Sequence, residues 1–211
     1  MPSPGWTRAV IILAAGLMFG LSLFTGDSID QDGLRWLGGV TSAVILAVLA
    51  FDLWLWRVPG IRQICELAGK PTIRGTWRGR LEYERDGEGN PGSTEIYLAV
   101  RQTFSAVSVR CYFPKTRAES WSLTASLVRN DHRHDLHYIY QQQAPAPDRD
   151  RNRPTQGACE LAVAGRPVRE LIGSYYAERG GSGRITAVEH SPEVAGSLSR
   201  ARALSFETRR R

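Results

Sequence analysis

The chain has 211 residues, a formal net charge of +6 and three cysteines. This length leaves one domain of ordinary size after any membrane segment. The cysteines are far apart, with no CxxC pair and no histidine at zinc-ligand spacing, which argues against a disulfide framework and indicates buried free thiols in a reducing compartment.

Two apolar runs open the chain. Residues 9–26 carry no formal charge, and residues 36–56 carry one, Asp52. Each run is long enough, or nearly so, to cross about 30 Å of hydrocarbon as a helix. Residues 27–35 between them are too short for anything but a hairpin loop. The pattern predicts a two-span membrane anchor over residues 1–57 and argues against a cleaved signal peptide.

The charges that flank the two runs predict their orientation. Arg8 precedes the first run, and Arg57 and Arg62 follow the second, whereas the loop carries three aspartates and one arginine. The positive-inside rule therefore places both chain termini in the cytoplasm. Within the second run, we expect Asp52 to snorkel or to lie at the membrane interface.

Small residues recur at helix-packing distance in both runs. Gly16 and Gly20 form a GxxxG pair, and Gly39 and Ala43 repeat its spacing. Such pairs allow close packing of helices within one chain or between copies, although small residues are also common in membrane helices without this role.

A connector over residues 58–71 follows the second run. Pro59 and Gly60 are predicted to end the helix, and a short amphipathic turn after them has the spacing of a segment that lies on a membrane surface.

Residues 72–190 change to a period of two. Apolar and polar residues alternate in eight short runs that are separated by turn-forming residues. This pattern predicts a small antiparallel eight-stranded β-barrel, so the fold class is membrane-anchored all-β. A sandwich of the same strands is the alternative. Gly79 and Gly173 inside strands favour the barrel because tight curvature needs residues without side chains.

Two stretches do not follow the alternation. Residues 144–154 are rich in proline and charge and are predicted to be a mobile loop. The basic C-terminal tail, residues 191–211, is predicted to be disordered or to rest on anionic lipid.

The order of these features resembles a known family. Two amino-terminal spans, a short connector, a first strand that reads Gly75-Thr-Trp-Arg-Gly79 and a late hairpin over residues 171–185 resemble the two-transmembrane, β-strand-rich effectors of bacterial cyclic-oligonucleotide-based anti-phage signalling (CBASS).

The resemblance implies a function for each part. The barrel would be a cytoplasmic receptor for a cyclic dinucleotide made by a partner nucleotidyltransferase. Binding would drive self-association into homo-oligomers, and the clustered spans would disrupt the bacterial inner membrane and kill the infected cell. Membrane lipids are the other expected partner, and neither a cofactor nor a nucleic acid polymer is expected.

A cyclic dinucleotide needs flat side chains for two bases and donors for two phosphates. The predicted inward-facing positions supply aromatic and amide groups, namely Tyr83, Gln102, Trp121, Tyr138, Tyr140 and Tyr175. The phosphate candidates are Arg101, Arg110, Arg179 and Arg184. Taken singly, each residue is more typical of core packing or of a solvated strand face, so only the group indicates a ligand site.

The sequence shows no signature of an enzyme. It lacks a nucleophile elbow, a phosphate-binding Gly-Lys loop and an HExxH motif. His132, His134 and His137 lie at a turn that enters a strand and are predicted to be solvated there, so no metal site is expected. Two other classes stay open: a membrane-tethered barrel with an apolar or lipid ligand, which the polar aromatic interior fits poorly, and a scaffold without a ligand.

Overall fold

The computed structural model describes residues 16, 31–67, 69–84, 91–131, 133–148, 153–178 and 180–208. These divide into two compact units. One is helical and also includes the segment Thr103–Ala106, and the other contains Glu66–Gln102 and the rest of the chain from Val107.

Two helices make up most of the helical unit. Helix α1 (Gln31–Leu53) is followed by a 3-10 turn (Leu55–Arg57) and then by helix α2 (Pro59–Leu67). The prediction that Pro59 ends a helix is wrong, because α1 has already ended and Pro59 starts α2. Proline is favoured in the first turn of a helix, where its missing N–H is not needed for a hydrogen bond. The amphipathic turn predicted in the connector is part of α2.

The observed helices can be compared with the two predicted membrane spans. Within the described part of the chain, no single helix is both long and apolar enough to cross a membrane. One pair, Thr41–Arg57 with Pro59–Glu66, passes the same test of length and composition together, and it is bent by 90°. Except for Gly16, the first predicted span lies outside the described residues. The two-span anchor therefore stays a prediction.

The small residues that were predicted to pack the helices together are only partly described by the structure. Gly16 is helical and exposed, Gly39 and Ala43 are exposed on α1, and Gly20 lies outside the described residues. No heavy atom lies near a Cβ built at Gly16 or Gly39. Their role in packing stays a prediction.

The end of α1 packs against the segment Thr103–Ala106 within the helical unit. The Asp52 carboxylate accepts a hydrogen bond from the backbone N–H of Ser105 at 2.7 Å, and the Asp52 carbonyl accepts one from Phe104 at 3.1 Å. The Phe104 ring lies edge-on to Phe51, with 5.0 Å between ring centroids, and 6.4 Å from the fully buried Trp56. The Asp52 carboxylate thus holds this backbone segment, and its position at a membrane interface stays a prediction.

The second unit is an antiparallel β-barrel. Its eight strands are β1 (Gly75–Tyr83), β2 (Gly92–Gln102), β3 (Val107–Tyr112), β4 (Glu119–Asn130), β5 (Arg133–Gln143), β6 (Thr155–Ala164), β7 (Glu170–Ala177) and β8 (Ser182–Ser191). Each strand pairs with the next, and β1 also pairs with β8. This last pairing closes the sheet, so the predicted barrel is confirmed and the sandwich is excluded.

Glycines make the closure possible. A Cβ at Gly173 would lie 1.9 Å from the Glu160 carbonyl oxygen, and a Cβ at Gly79 would lie 2.3 Å from that of Thr186. Because backbone atoms cannot move aside, only glycine allows the strands to approach this closely. Two specific backbone contacts thus explain why glycine is needed at these two positions, where the sequence predicted tight curvature.

The barrel is closed at the end where β1 begins. Ile73 and Trp77 are fully buried there, and the indole N–H of Trp77 donates to the Ile73 carbonyl at 2.9 Å. Gln102 accepts a hydrogen bond from the Ile73 N–H at 2.9 Å and donates to the Pro71 carbonyl at 3.0 Å. Within the described part of the chain, Ile73, Trp77 and Gln102 thus fill this end of the barrel.

The C-terminal stretch packs on the outside of the barrel. It contains helix α3 (Leu198–Ala203) and a two-residue strand β9 (Glu207–Thr208), which pairs with β8. Ala195 and Ala201 are buried against outward-facing residues of β2 and β3. Disorder is therefore the wrong prediction for residues 191–208, because their apolar side chains cover part of the sheet. The predicted proline-rich loop contains a 3-10 turn (Ala146–Asp148), and residues 149–152 lie outside the described part.

Candidate ligand-binding site

A cavity lies at the other end of the barrel, where β1, β3, β5 and β7 end. Its volume is about 160 Å³. Leu81, Cys111, Phe113 and Ile185 form its apolar lining. Its polar lining comprises Ser120, Tyr138, Tyr140, Gln142 and Tyr175. Three of the predicted ligand residues therefore meet in one place.

Tyrosine rings enter this end because glycines lie beside them on neighbouring strands. Tyr140 pairs with Gly157, and a Cβ on Gly157 would lie 2.5 Å from the Tyr140 ring. Tyr175 likewise pairs with Gly183, where a Cβ would lie 2.9 Å from the ring. A ring that covers a strand glycine shields the exposed backbone and gains packing surface. The glycines thus position the rings.

The Tyr83 ring also covers a glycine on a neighbouring strand. It pairs with Gly92, and a Cβ on that glycine would lie 2.6 Å from the Tyr83 hydroxyl oxygen. Its ring packs partly buried against the core, next to the side of the barrel that carries Tyr175. Tyr83 is therefore a neighbour of the cavity and does not line it.

The phenols of the cavity stay protonated at neutral pH. Tyr138 and Tyr140 are each only 6% exposed, with ring centroids 6.1 Å apart. Burial raises the pKa of both well above the ordinary value of a tyrosine and raises that of Tyr175 to about 12. A neutral phenol both donates and accepts hydrogen bonds, so these groups can bind base edges or phosphate oxygens.

Some of the cavity's hydrogen bonds are made within the barrel. The Tyr140 hydroxyl donates to the Tyr176 carbonyl at 3.3 Å, and Tyr138 pairs with Cys159 on the neighbouring strand. Burial raises the pKa of the Cys159 thiol to about 12, so Cys159 is not a reactive thiolate at neutral pH. The side-chain amide of Gln142, in contrast, has no hydrogen-bond partner among the described residues and is available to a ligand.

Two predicted residues lie elsewhere. Gln102 faces inward, but at the closed end, where its amide holds the backbone of Ile73. Trp121 is on the outer face, so the prediction that it faces inward is wrong. A β-bulge between Ser122 and Thr124 shifts the register of β4 by one residue, which reverses the facing of every position on one side of it.

Three of the four predicted arginines are described, and none of the three lines the cavity. Arg101, Arg110 and Arg184 are exposed on outward-facing strand positions. Arg179 lies outside the described residues. Their contact with a ligand in the cavity stays a prediction that the strand geometry does not favour.

Sequence reasoning missed two of the polar lining residues. Gln142 lies two positions beyond Tyr140 on β5 and therefore faces the same way, but the fifth predicted strand stopped at Tyr140. Ser120 on β4 pairs with Gln142 on β5. Its side chain faces inward only because the bulge that follows it shifts the register of β4 by one residue. The alternation of inward and outward side chains could have revealed Gln142 but not Ser120.

The histidines face away from the cavity or lie outside it. His134 is buried, and its Nε2 lies 2.5 Å from the Gly69 carbonyl oxygen. On the outer face, the ligand atoms of Asp135, His137 and Glu160 lie within 4.8 Å of one another. Arg133 balances this charge, since its guanidinium lies 3.0 Å from the Asp135 carboxylate. His132 is not among the described residues.

The barrel sequence matches one protein family. Residues 69–188, more than half of the chain, match the family described as Cap15, cyclic dinucleotide receptor domain. The chain belongs to the Cap15 family. The match confirms the resemblance to CBASS effectors and spans β1 to β7 with most of β8. A Cap15 chain is a CBASS effector that binds a cyclic dinucleotide, and the family is one of receptors. No curated protein matches the chain.

Proposed function

We propose that this Cap15 barrel binds its cyclic dinucleotide at the open end. The observation that carries the proposal is the convergence of three neutral phenols and one unpaired amide on a single cavity, opposite a plugged end. Aromatic rings can stack on bases, and hydroxyl and amide groups can read base edges. Leu81, Cys111, Phe113 and Ile185 make the apolar part of the cavity wall, which suits a flat base.

The cavity's size limits how much of the ligand enters it. A volume of about 160 Å³ is below the roughly 300–1,000 Å³ of a typical small-molecule site. One base of the ligand therefore inserts between the tyrosines, while the sugar-phosphate ring lies across the mouth. The phosphates then meet the turn between β3 and β4, where Lys115 and Arg117 are exposed. These two cations take the role that the sequence suggested for Arg179 and Arg184.

Calorimetric titration of the full-length chain in detergent with a panel of cyclic dinucleotides tests the proposal. Tyr175→Phe removes one donor from the cavity and should weaken binding about threefold to tenfold. The matched control is Tyr176→Phe on the outer face, where the side chain is 61% exposed and binding should be unchanged. Equal affinities of both variants and the unaltered chain would place the ligand outside the cavity.

We further propose that ligand binding drives self-association into homo-oligomers and that the helices then disrupt the bacterial inner membrane. The bent helix pair is compatible with membrane insertion by length and composition, and the small residues Gly39 and Ala43 lie exposed on α1. Both chain termini would be cytoplasmic, which puts the barrel where a nucleotide signal is made.

Dye leakage from vesicles tests this second step. Cyclic dinucleotide should cause leakage with the full-length chain and none with a chain that lacks residues 1–57. The double variant Gly39→Leu and Ala43→Leu should reduce leakage, while Val48→Leu on the other side of α1 should not. Full leakage from the double variant would rule out packing through this pair.

A further inference from the structure

A second cleft lies on the outer face of the barrel. It has a volume of about 230 Å³ and is formed by residues of β2, β3 and β4, most of them outward-facing, together with Ala195 from the C-terminal stretch. Ala99 and Ser108 contribute only small side chains to it. The space between the strands and Ala195 is therefore left open, and longer side chains can lean into it.

Two of those longer side chains are arginines. Arg101 pairs with Ser108, and Ala99 pairs with Arg110, so the two arginines are diagonal neighbours on adjacent strands. Diagonal positions on one face are roughly 7–8 Å apart. Two arginine side chains at this separation can reach a single anionic group placed between them.

The positive charge of the pair is not balanced by any residue that the structure describes. Among the described residues, no carboxylate lies within ion-pair distance of either guanidinium. Elsewhere on the surface arginines do find partners, as Arg78 does with Glu189. Two adjacent cations repel each other, and an anion bound between them removes the repulsion.

Trp121 completes the cleft. It pairs with Arg110 on the neighbouring strand and is half-buried at the edge of the opening. The β4 bulge that turns this residue outward thus brings three sequence-predicted ligand residues, Arg101, Arg110 and Trp121, to one place outside the barrel. An indole beside paired guanidinium groups combines a stacking surface with phosphate donors.

We propose that this outer cleft is a second binding site and that it takes a phosphate diester. Arg101 and Arg110 bind the two non-bridging oxygens, and Trp121 contacts the flat or apolar group that the diester carries. A cyclic dinucleotide and an anionic phospholipid headgroup both contain this chemistry. The site is separate from the barrel-end cavity and does not depend on it.

Tryptophan fluorescence of the full-length chain in detergent is the readout. The signal of Trp121 is the difference between the unaltered chain and Trp121→Phe, titrated with a cyclic dinucleotide. Arg101→Gln and Arg110→Gln should each weaken the affinity seen by this signal about tenfold and reduce its dependence on salt. Arg80→Gln, which removes an exposed arginine from β1, is the charge-matched control and should change neither.

Vesicle flotation separates the two sources of the diester. More binding to phosphatidylglycerol vesicles than to phosphatidylcholine vesicles, with the difference lost in Arg101→Gln and Arg110→Gln, identifies a lipid headgroup as the ligand. A response to the nucleotide alone identifies a second nucleotide site. The proposal is overturned if the two variants match Arg80→Gln with both probes.

Tyr175→Phe distinguishes this site from the barrel-end cavity. It should leave the Trp121 signal and vesicle binding unchanged, whatever it does to the calorimetric titration. Loss of the Trp121 signal in Tyr175→Phe would show that one site produces both effects and would also overturn the proposal.

Discussion

The Asp52 carboxylate accepts a hydrogen bond from the Ser105 backbone N–H at 2.7 Å, across 53 positions of sequence. A charged acceptor stabilises such a contact more than a neutral one does. The only acidic residue of the second apolar run is therefore used to hold a turn that connects β2 to β3 in the chain.

This contact predicts a local effect of Asp52→Ala. Loss of the acceptor should cost about 1 kcal/mol and should raise the hydrogen-exchange rate of the Phe104 and Ser105 amides about fivefold, as measured by mass spectrometry. Asp52→Asn keeps a side-chain carbonyl acceptor and should show a smaller change. Unaltered exchange in Asp52→Ala would mean that the Phe104 ring and the backbone hydrogen bond from Phe104 to the Asp52 carbonyl hold the turn without the carboxylate.

Glycine at position 183 should be essential for barrel stability. A Cβ there would lie 1.9 Å from the Glu82 carbonyl oxygen, a backbone atom that cannot move without shifting β1. We expect Gly183→Ala to lower the free energy of unfolding by about 2 kcal/mol or more. Gly181→Ala is the matched control, since its Cβ would meet only the Ala177 methyl group, at an ordinary 3.7 Å. Equal thermal midpoints of the two variants would contradict this account.

The buried tyrosines predict how stability depends on alkaline pH. Burial raises the pKa of Tyr175 to about 12, and an unfolded tyrosine loses its proton near about 10. Because the folded state holds the proton more tightly, this group's contribution to stability is full below pH of about 10 and is lost as pH rises to about 12.

Thermal midpoints measured across this pH range test the sign. The midpoint of the unaltered chain should fall with rising pH, and that of Tyr175→Phe should fall less. Tyr176→Phe on the outer face serves as the control and should follow the unaltered chain. A steeper fall in Tyr175→Phe would contradict the direction of the pKa change.

Thr76 should anchor the C-terminal stretch. Its buried hydroxyl donates to the Glu193 carbonyl at 2.6 Å and accepts from the Ala195 N–H at 2.9 Å. Thr76→Val leaves both backbone groups without this partner, at a cost of about 1–3 kcal/mol. Limited proteolysis should then cut within residues 192–208 sooner. Thr76→Ser keeps the hydroxyl and should resist cleavage as the unaltered chain does.

The sequence correctly predicted which side chains face inward on a strand whose alternation is not interrupted by a bulge. On β5, inward facing of Tyr138 and Tyr140 follows from simple alternation, and the same rule extends to Gln142. On β4, the same rule fails at Trp121 because a bulge follows it. Whether a strand contains a bulge depends on its hydrogen bonds to the neighbouring strands, which the order of apolar and polar residues does not reveal.

The amino-acid sequence by itself determined that residues 72–190 form an antiparallel sheet of eight short strands, because a period of two broken by turn-forming residues has few other solutions. Its glycines favoured a barrel over a sandwich, and the pairing of β1 with β8 in the structure decided between them. Tertiary structure alone decided which barrel end holds the cavity, since the contacts of Gln102 and Trp77 with the Ile73 backbone fill the other end. It also decided that Asp52 meets Ser105 and that Arg101, Arg110 and Trp121 share a cleft. The contacts of Asp52 with Ser105 and of Gln102 with Ile73 join residues 53 and 29 positions apart, and local patterns carry no information about them.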